Sequence, residues 1–334
     1  MASKNLQKVS EIETRHKPKR TVVRIAGGLG NQLFTYAFGR SLALQMGRGV
    51  EFDLVSGFER DLYKQHYALE PFRVQVSAAS VGECYLGRSG RIRRRLDRWV
   101  GRHGWNLGTR YVMDPEDQFV PKLVEIARNG RSYFEGYWQS PRYFESAEET
   151  LRTELQMDAP ADAENQALAR RIASCDAIAL HARRLRGQVD ISGPAAGGLL
   201  KTSLPLEYYR AALAELLRHA TRPEIFCFAD YPEWFSDLGC PDVPVTVVTH
   251  NRGYENSWKD LWLMRQCRFH VIADSTFSWW SAWLSERPGK RVVAPRLDRW
   301  NWSANRDMLP SDWRQIDWEG ISERPIRLAN VSSS

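Results

Sequence analysis

The first apolar run, Thr21-Val-Val-Arg-Ile-Ala26, is short and β-branched, and it ends in Gly27-Gly-Leu-Gly30. From Asn31 to Met46 the apolar positions Leu33, Phe34, Ala37, Phe38 and Leu42 recur at helical spacing, and Val50-Glu-Phe-Asp-Leu54 is strand-like again. A strand, a glycine turn, a helix and a second strand open a parallel α/β domain. The middle of the chain is less regular. Its pattern predicts helices over Arg88–Arg98 and Pro141–Leu155, a strand over Ser132–Trp138, and a linker at Asp158-Ala-Pro-Ala-Asp162. Beyond the linker, strands are predicted at Ala177–Ala182, Glu224–Ala229, Val243–Val248, Phe269–Ala273 and Arg291–Ala294. Helices are predicted at Leu206–His219, Tyr254–Gln266 and Thr276–Glu286, while 188–203 and 298–318 read as loops. This alternation predicts a second parallel, doubly wound sheet. The expected organisation is a loose tail at 1–20 and two Rossmann-like domains, 21–160 and 161–330, with a cleft between them.

Composition narrows the picture. With 334 residues, 43% apolar and 26% charged, the chain is an ordinary folded protein rather than a disordered one. No apolar run approaches the roughly 18 residues of a membrane span, and the N-terminus has no apolar stretch of the kind a secretory signal needs. Five cysteines, an odd number without a Cys-x-x-Cys pair, suit a reducing compartment, so a cytoplasmic location is expected. Lys and Arg exceed Asp and Glu by 47 to 40, a charge of +7 that favours acidic partners. Six arginines between Arg88 and Arg98 surround Ile92 and Leu96, with Trp99 next. That segment reads either as a solvated helix face or as a patch for an acidic acceptor or for anionic membrane at the inner face. Nucleic acid is not expected as a partner, because no RNP, helix-turn-helix or zinc-finger signature is present.

In open parallel sheets ligands sit beyond the C-terminal strand ends. Gly27-Gly-Leu-Gly-Asn-Gln32 follows a strand and opens a helix, so it is either an anion site or a tight turn. It is not a dinucleotide fingerprint, since the third glycine position holds Leu33, and it is not a P-loop. His181-Ala-Arg-Arg184 leaves an apolar strand, where two guanidinium forks suit a pyrophosphate. His181 by itself reads as a hydrogen-bonded structural histidine. Asp274-Ser-Thr-Phe-Ser278 starts a helix whose N-terminus can hold phosphate, with Ser275, Thr276 and Ser278 in contact and Phe277, Trp280 and Trp283 facing the core. Asp230 ends another strand and either accepts from a nucleoside or caps the next turn. No Asp-x-Asp and no His/Cys cluster occurs, so no metal is expected at the site.

Gly27-Gly-Leu-Gly-Asn-Gln-Leu-Phe34, His181-Ala-Arg-Arg184, Phe228-Ala-Asp-Tyr-Pro-Glu-Trp234 and Asp274-Ser-Thr-Phe-Ser-Trp-Trp-Ser-Ala-Trp-Leu284 occur here in this order. In that combination the chain resembles the α-1,2-fucosyltransferases of glycosyltransferase family eleven over about residues 21–318. The resemblance implies a GT-B fold and inverting, metal-independent transfer of L-fucose from GDP-β-L-fucose to the 2-hydroxyl of a galactoside. It implies that Arg183 grips the β-phosphate, with His181 and Arg184 beside it, and that Ser275, Thr276, Phe277 and Ser278 hold the diphosphate. Asp230 would meet guanine or ribose, and Gly28, Gly30 and Asn31 would close the cleft from the N-terminal side. The family motif His-x-Arg-Arg-Gly-Asp is altered to His181-Ala-Arg-Arg-Leu-Arg-Gly-Gln-Val-Asp190, so either Asp190 reaches in from a longer loop as the base or the reaction needs no strong base.

Overall fold

The structure is a computed structural model and describes residues 20–61, 63–103, 105, 108–115, 118–183, 204–230, 232–239, 242–299 and 306–317. The first five strands are β1 (Thr21–Arg24), β2 (Glu51–Asp53), β3 (Ser77–Ala78), β4 (Arg110–Met113) and β5 (Ser132–Glu135). They form one parallel sheet in the order β3-β2-β1-β5-β4. The next six are β6 (Asp176–Ala182), β7 (Pro223–Ala229), β8 (Val245–Val248), β9 (Phe269–Val271), β10 (Arg291–Pro295) and β11 (Arg314–Ile316). They form a second parallel sheet in the order β11-β10-β9-β6-β7-β8. Among the described residues the helices are α1 (Leu29–Met46), α2 (Gly87–Arg102), α3 (Leu123–Arg128), α4 (Glu148–Glu154), α5 (Ala163–Ala173), α6 (Leu206–Leu217), α7 (Ser257–Met264) and α8 (Thr276–Leu284). This is the α/β layout of two parallel sheets expected from the sequence. The central strand β6 is almost entirely buried, as a strand covered by helices on both faces must be, which explains its unbroken apolar run.

Several elements differ from expectation. The helix expected over Pro141–Leu155 is two 3₁₀ turns, Pro141–Tyr143 and Glu145–Ala147, followed by α4. Ser140 caps the first turn by accepting from Arg142 N at 3.3 Å, and Phe144 leaves helical geometry with φ −135°. The segment read as a loop contains the edge strand β11, whose Arg-Gln-Ile carries no apolar period. Pairing to β10 alone makes it a strand. Strands β3 and β4 and helices α3 and α5 were not expected. For α5 the signal was legible, since Asp162 is its N-cap and accepts from Asn165 N at 2.9 Å. Arg20, placed in the tail, is tied to the first sheet through its carbonyl, which accepts from Ser132 N at 2.9 Å. Residues 1–19 lie outside the described residues.

The two sheets do not have separate cores. Phe34 on α1 packs against Trp279 and Trp280 on α8, with ring centroids 4.6 and 5.0 Å apart, and Phe144 stacks on Trp280 at 5.6 Å. One buried cluster therefore runs from Val23 and Phe38 in the first half to Trp279, Trp283 and Trp313 in the second. The C-terminal edge of the first sheet is held by a buried carboxylate. Asp53 accepts from Val55 N, Ser56 N, Ser56 Oγ and Tyr133 Oη at 2.6–3.0 Å. Burial alone would raise its pKa, but these four bonds outweigh burial and hold it below the usual range. No helix among the described residues is long and apolar enough to cross a membrane.

Candidate active site

The register of the second sheet builds the first part of the site. β6 pairs with β7 so that His181 lies beside Phe228 and Ala182 beside Ala229. The next residues out of the two strands are then neighbours, and Arg183 Nε lies 3.4 Å from Asp230 Oδ2. Arg183 remains 41% exposed, so its fork is braced but open to a ligand. His181, one strand position deeper, is buried, with its ring 5.4 Å from Phe277 in the first turn of α8. Burial, and then the charge of Arg183, push its pKa down to about 3, so it stays neutral. Among the described residues its Nδ1 has no hydrogen-bond partner.

The second part of the site is a meeting of two helix N-termini. Gly27, with φ +77°, makes the left-handed turn out of β1, and α1 starts behind Gly28. At Gly30 a Cβ would lie 2.5 Å from the Thr276 carbonyl carbon and 2.6 Å from Phe277 N, so only glycine lets α1 approach the start of α8 this closely. Thr276 Oγ1 donates to Asn31 Oδ1 at 3.0 Å, and Gln139 Nε2 donates to the same oxygen at 3.0 Å. Neither helix has an acidic residue in its first turn, and neither has a side-chain cap among the described residues. Each end carries roughly half a positive charge from its peptide dipoles, so bringing two together is unfavourable until an anion arrives.

Several expected residues therefore converge: Gly28, Gly30, Asn31, His181, Arg183, Asp230, Ser275, Thr276 and Phe277. Ser278 faces inward instead. It is fully buried, its hydroxyl donating to Ser275 O at 3.1 Å and accepting from Ala273 N at 3.2 Å, so it braces the turn. Arg184 and Asp190 lie outside the described residues. Gln32 was missed. It is wholly buried, with Nε2 2.8 Å from both Gly27 O and His66 O and 2.9 Å from Tyr254 Oη, while Oε1 accepts from Ala68 N. One amide thus ties the glycine turn to both halves. The signal was a glutamine on the otherwise apolar face of a helix.

A cavity of about 340 Å³ opens elsewhere, past the ends of β1 and β2, lined by Arg24, Arg60, Tyr63, Arg91 and Arg94 among others. None of the residues at the helix junction lines it. Among the described residues no three His, Cys, Asp or Glu side chains gather in a way that could hold a metal ion.

Buried histidines give the fold a specific pH response. His181 and His270 both have pKa values near 3, His270 through burial and then the charge of Lys290. Below about pH 6.5 the unfolded chain takes up protons that the fold refuses. Their contribution to stability is present above pH 6.5 and is lost as pH falls toward 3. Asp260, lifted by burial to about 7, works in the opposite sense. Replacing His270 by Gln isolates one group. Between pH 7 and pH 5 this variant should lose about 2 kcal/mol less stability than the wild type, read from urea midpoints at the two pH values.

The model of glycosyl transferase family 11 matches residues 110–322 of this chain. An α-1,2-colitosyltransferase of Escherichia coli is 24% identical over 278 residues, covering 82% of this chain and 90% of the relative. The O-antigen biosynthesis glycosyltransferase WbnK of Escherichia coli is 34% identical over 109 residues, covering 33% of this chain and 35% of that one. Among solved structures, the NodZ α-1,6-fucosyltransferase soaked with GDP-fucose aligns over 85% of this chain and 97% of its own, with 16% identity and a TM-score of 0.48.

Proposed function

We propose that this chain, which belongs to glycosyl transferase family 11, transfers L-fucose from GDP-β-L-fucose to the 2-hydroxyl of a galactoside, in the cytoplasm, during glycan or O-antigen-type polysaccharide synthesis. The observation that carries the reading is the junction of two helix N-termini that have no side-chain cap among the described residues, with Arg183 two residues beyond His181, whose ring lies 5.4 Å from Phe277 in the first turn of α8. Two helix N-termini without an acidic residue in their first turns meet there, and the one carboxylate paired with Arg183 among the described residues, Asp230, leaves its fork open. A nucleotide diphosphate supplies the missing charge.

In this mechanism the acceptor oxygen forms its bond to C1 of the sugar from the face opposite the diphosphate, while the bond from C1 to the β-phosphate oxygen breaks. The configuration at C1 inverts and the electron pair leaves with GDP. Arg183 and the first-turn N–H groups of α8 stabilise the charge that develops on the leaving phosphate, the task a divalent cation performs elsewhere. Asp230 holds the guanidinium in place. Asn31 keeps α1 and α8 together through Thr276. The acceptor proton goes to a carboxylate, which we assign to Asp190, or to water once the bond has formed. The 2-hydroxyl is favoured by the linkage in the name of the E. coli α-1,2-colitosyltransferase, which aligns over most of its length. The same name favours a second reading, in which the donor is a related deoxysugar nucleotide.

The test is a panel of GDP-sugars and galactosides incubated with the protein in the presence of EDTA, read by mass spectrometry and linkage analysis. A deoxyhexose added through an α-1,2 bond, undiminished by the chelator, is the expected outcome. Transfer from another GDP-sugar only would establish the second reading. Activity abolished by EDTA and restored by a divalent cation would refute the metal-free mechanism.

A further inference from the structure

Helix α2 has two unlike faces. Its inner face is fixed to the first sheet: Arg94 pairs with Glu135, Val100 is buried, and Asp97 accepts from Tyr85 Oη at 2.7 Å. Its outer face carries Ile92, Leu96 and Trp99, which are 60%, 54% and 59% exposed. Their spacing of four and three residues makes one continuous apolar stripe, and Trp105, 68% exposed, follows just past the helix end. Arg88, Arg95 and Arg102 are seven residues apart, so they run in a line along this stripe. All three are exposed, and among the described residues none of them forms an ion pair. The only acid in the helix is Asp97, which is buried and has Arg93 at 3.6 Å. Arg95, Arg98, Trp99 and Arg102 also line a shallow hollow of about 300 Å³.

We propose that this face of α2 docks on an anionic phospholipid surface. Ile92, Leu96, Trp99 and Trp105 enter the boundary between headgroups and acyl chains, and Arg88, Arg95 and Arg102 meet the lipid phosphates. A water-facing helix has no use for three large apolar side chains in a row, and contiguous exposed apolar surface marks a docking site. The flanking arginines select the occupant, because exposed cations bordering an apolar stripe complement a negatively charged lipid interface. Tryptophan suits the same depth, since its ring is apolar and its N–H remains near water. A nucleic acid would match the arginines but leave Ile92 and Leu96 exposed.

The experiment is sedimentation of the full chain with phosphatidylcholine vesicles, with and without phosphatidylglycerol. Binding is expected to the anionic vesicles only, and to weaken as added salt shortens the range of the charges. The triple variant Arg88→Glu, Arg95→Glu, Arg102→Glu should lower partitioning at least ~100-fold, from about a fivefold step per arginine removed and more for the reversed sign. The double variant Leu96→Glu, Trp99→Glu should also abolish binding although its arginines remain. Both sets should keep the wild-type urea midpoint and the wild-type turnover on a soluble acceptor. Brominated lipids should quench tryptophan fluorescence of the bound protein, and Trp99→Phe with Trp105→Phe should remove that quenching without releasing the protein. Equal binding to neutral vesicles, no binding to either, binding to RNA but not to vesicles, or self-association lost in the double variant would each overturn the proposal.

Discussion

Arg183→Ala is expected to lower kcat/KM for the proposed nucleotide-sugar donor by about 10²–10³, the cost of removing one preorganised donor from a developing oxyanion. The expectation follows from placement. The side chain leaves a buried strand, is braced at 3.4 Å by Asp230, and stays 41% exposed two residues beyond His181, whose ring lies 5.4 Å from Phe277 in the first turn of α8. A fork held in this way can make two parallel bonds to a phosphate, and those bonds strengthen as the leaving group gains charge. Arg183→Lys keeps the charge and loses the fork, so it should recover only part of the loss. Because the guanidinium is half exposed and its known partner lies at the surface, stability should change little, and a urea melt would separate the two effects. An alanine variant with unchanged kcat/KM would remove Arg183 from the reaction and with it the proposed origin of metal independence.

Trp280→Ala should destabilise the fold by about 3–5 kcal/mol, the range for emptying a site of this size in a packed interior. Trp280 is fully buried and lies 5.0 Å from Phe34, 5.6 Å from Phe144, 5.0 Å from Trp279 and 5.2 Å from Trp283 by ring centroids. Phe34 belongs to α1 and Trp280 to α8, so the cavity would open at the seam between the halves. The loss should therefore extend to activity, since the same two helices form the proposed donor end of the site. Trp280→Phe provides a contrast. Among the described residues Trp280 Nε1 has no hydrogen-bond partner, so phenylalanine removes an unsatisfied buried group along with some packing. Its net cost should stay under about 1.5 kcal/mol. The decisive measurement is the urea midpoint: a loss below about 1 kcal/mol for the alanine variant would mean that the seam collapses readily and is not a rigid core.

How much was legible varies along the chain for a physical reason. Helix α1 and strands β6, β7 and β9 announce themselves because each buries a regular set of apolar side chains, and burial imprints the period of the element on the sequence. β11 leaves no such imprint, since an edge strand of Arg-Gln-Ile buries little and exists through hydrogen bonds to β10. The first half suffers most from this, with a two-residue β3 and an α3 of six residues whose signals are too short to rise above the loops around them. The basic segment 88–98 did read as an amphipathic helix, and the structure extends it to Gly87–Arg102.

By itself, the sequence determined that there are two parallel α/β halves, that glycines follow the first strand, and that arginine leaves β6 where an anion could be held. Those are local matters of period, turn chemistry and side-chain type. Only the tertiary structure decided that Asp230 braces Arg183, because that contact follows from the register of β6 against β7. It alone decided that Gly30 must be glycine for Thr276 to come near, that Ser278 faces inward, and that Gln32 fastens the turn across the seam. Residues 31 and 276 are remote along the chain, and no local preference can specify such a contact. It exists because α1 and α8 share one aromatic core, and burying that core brings their two positive ends together.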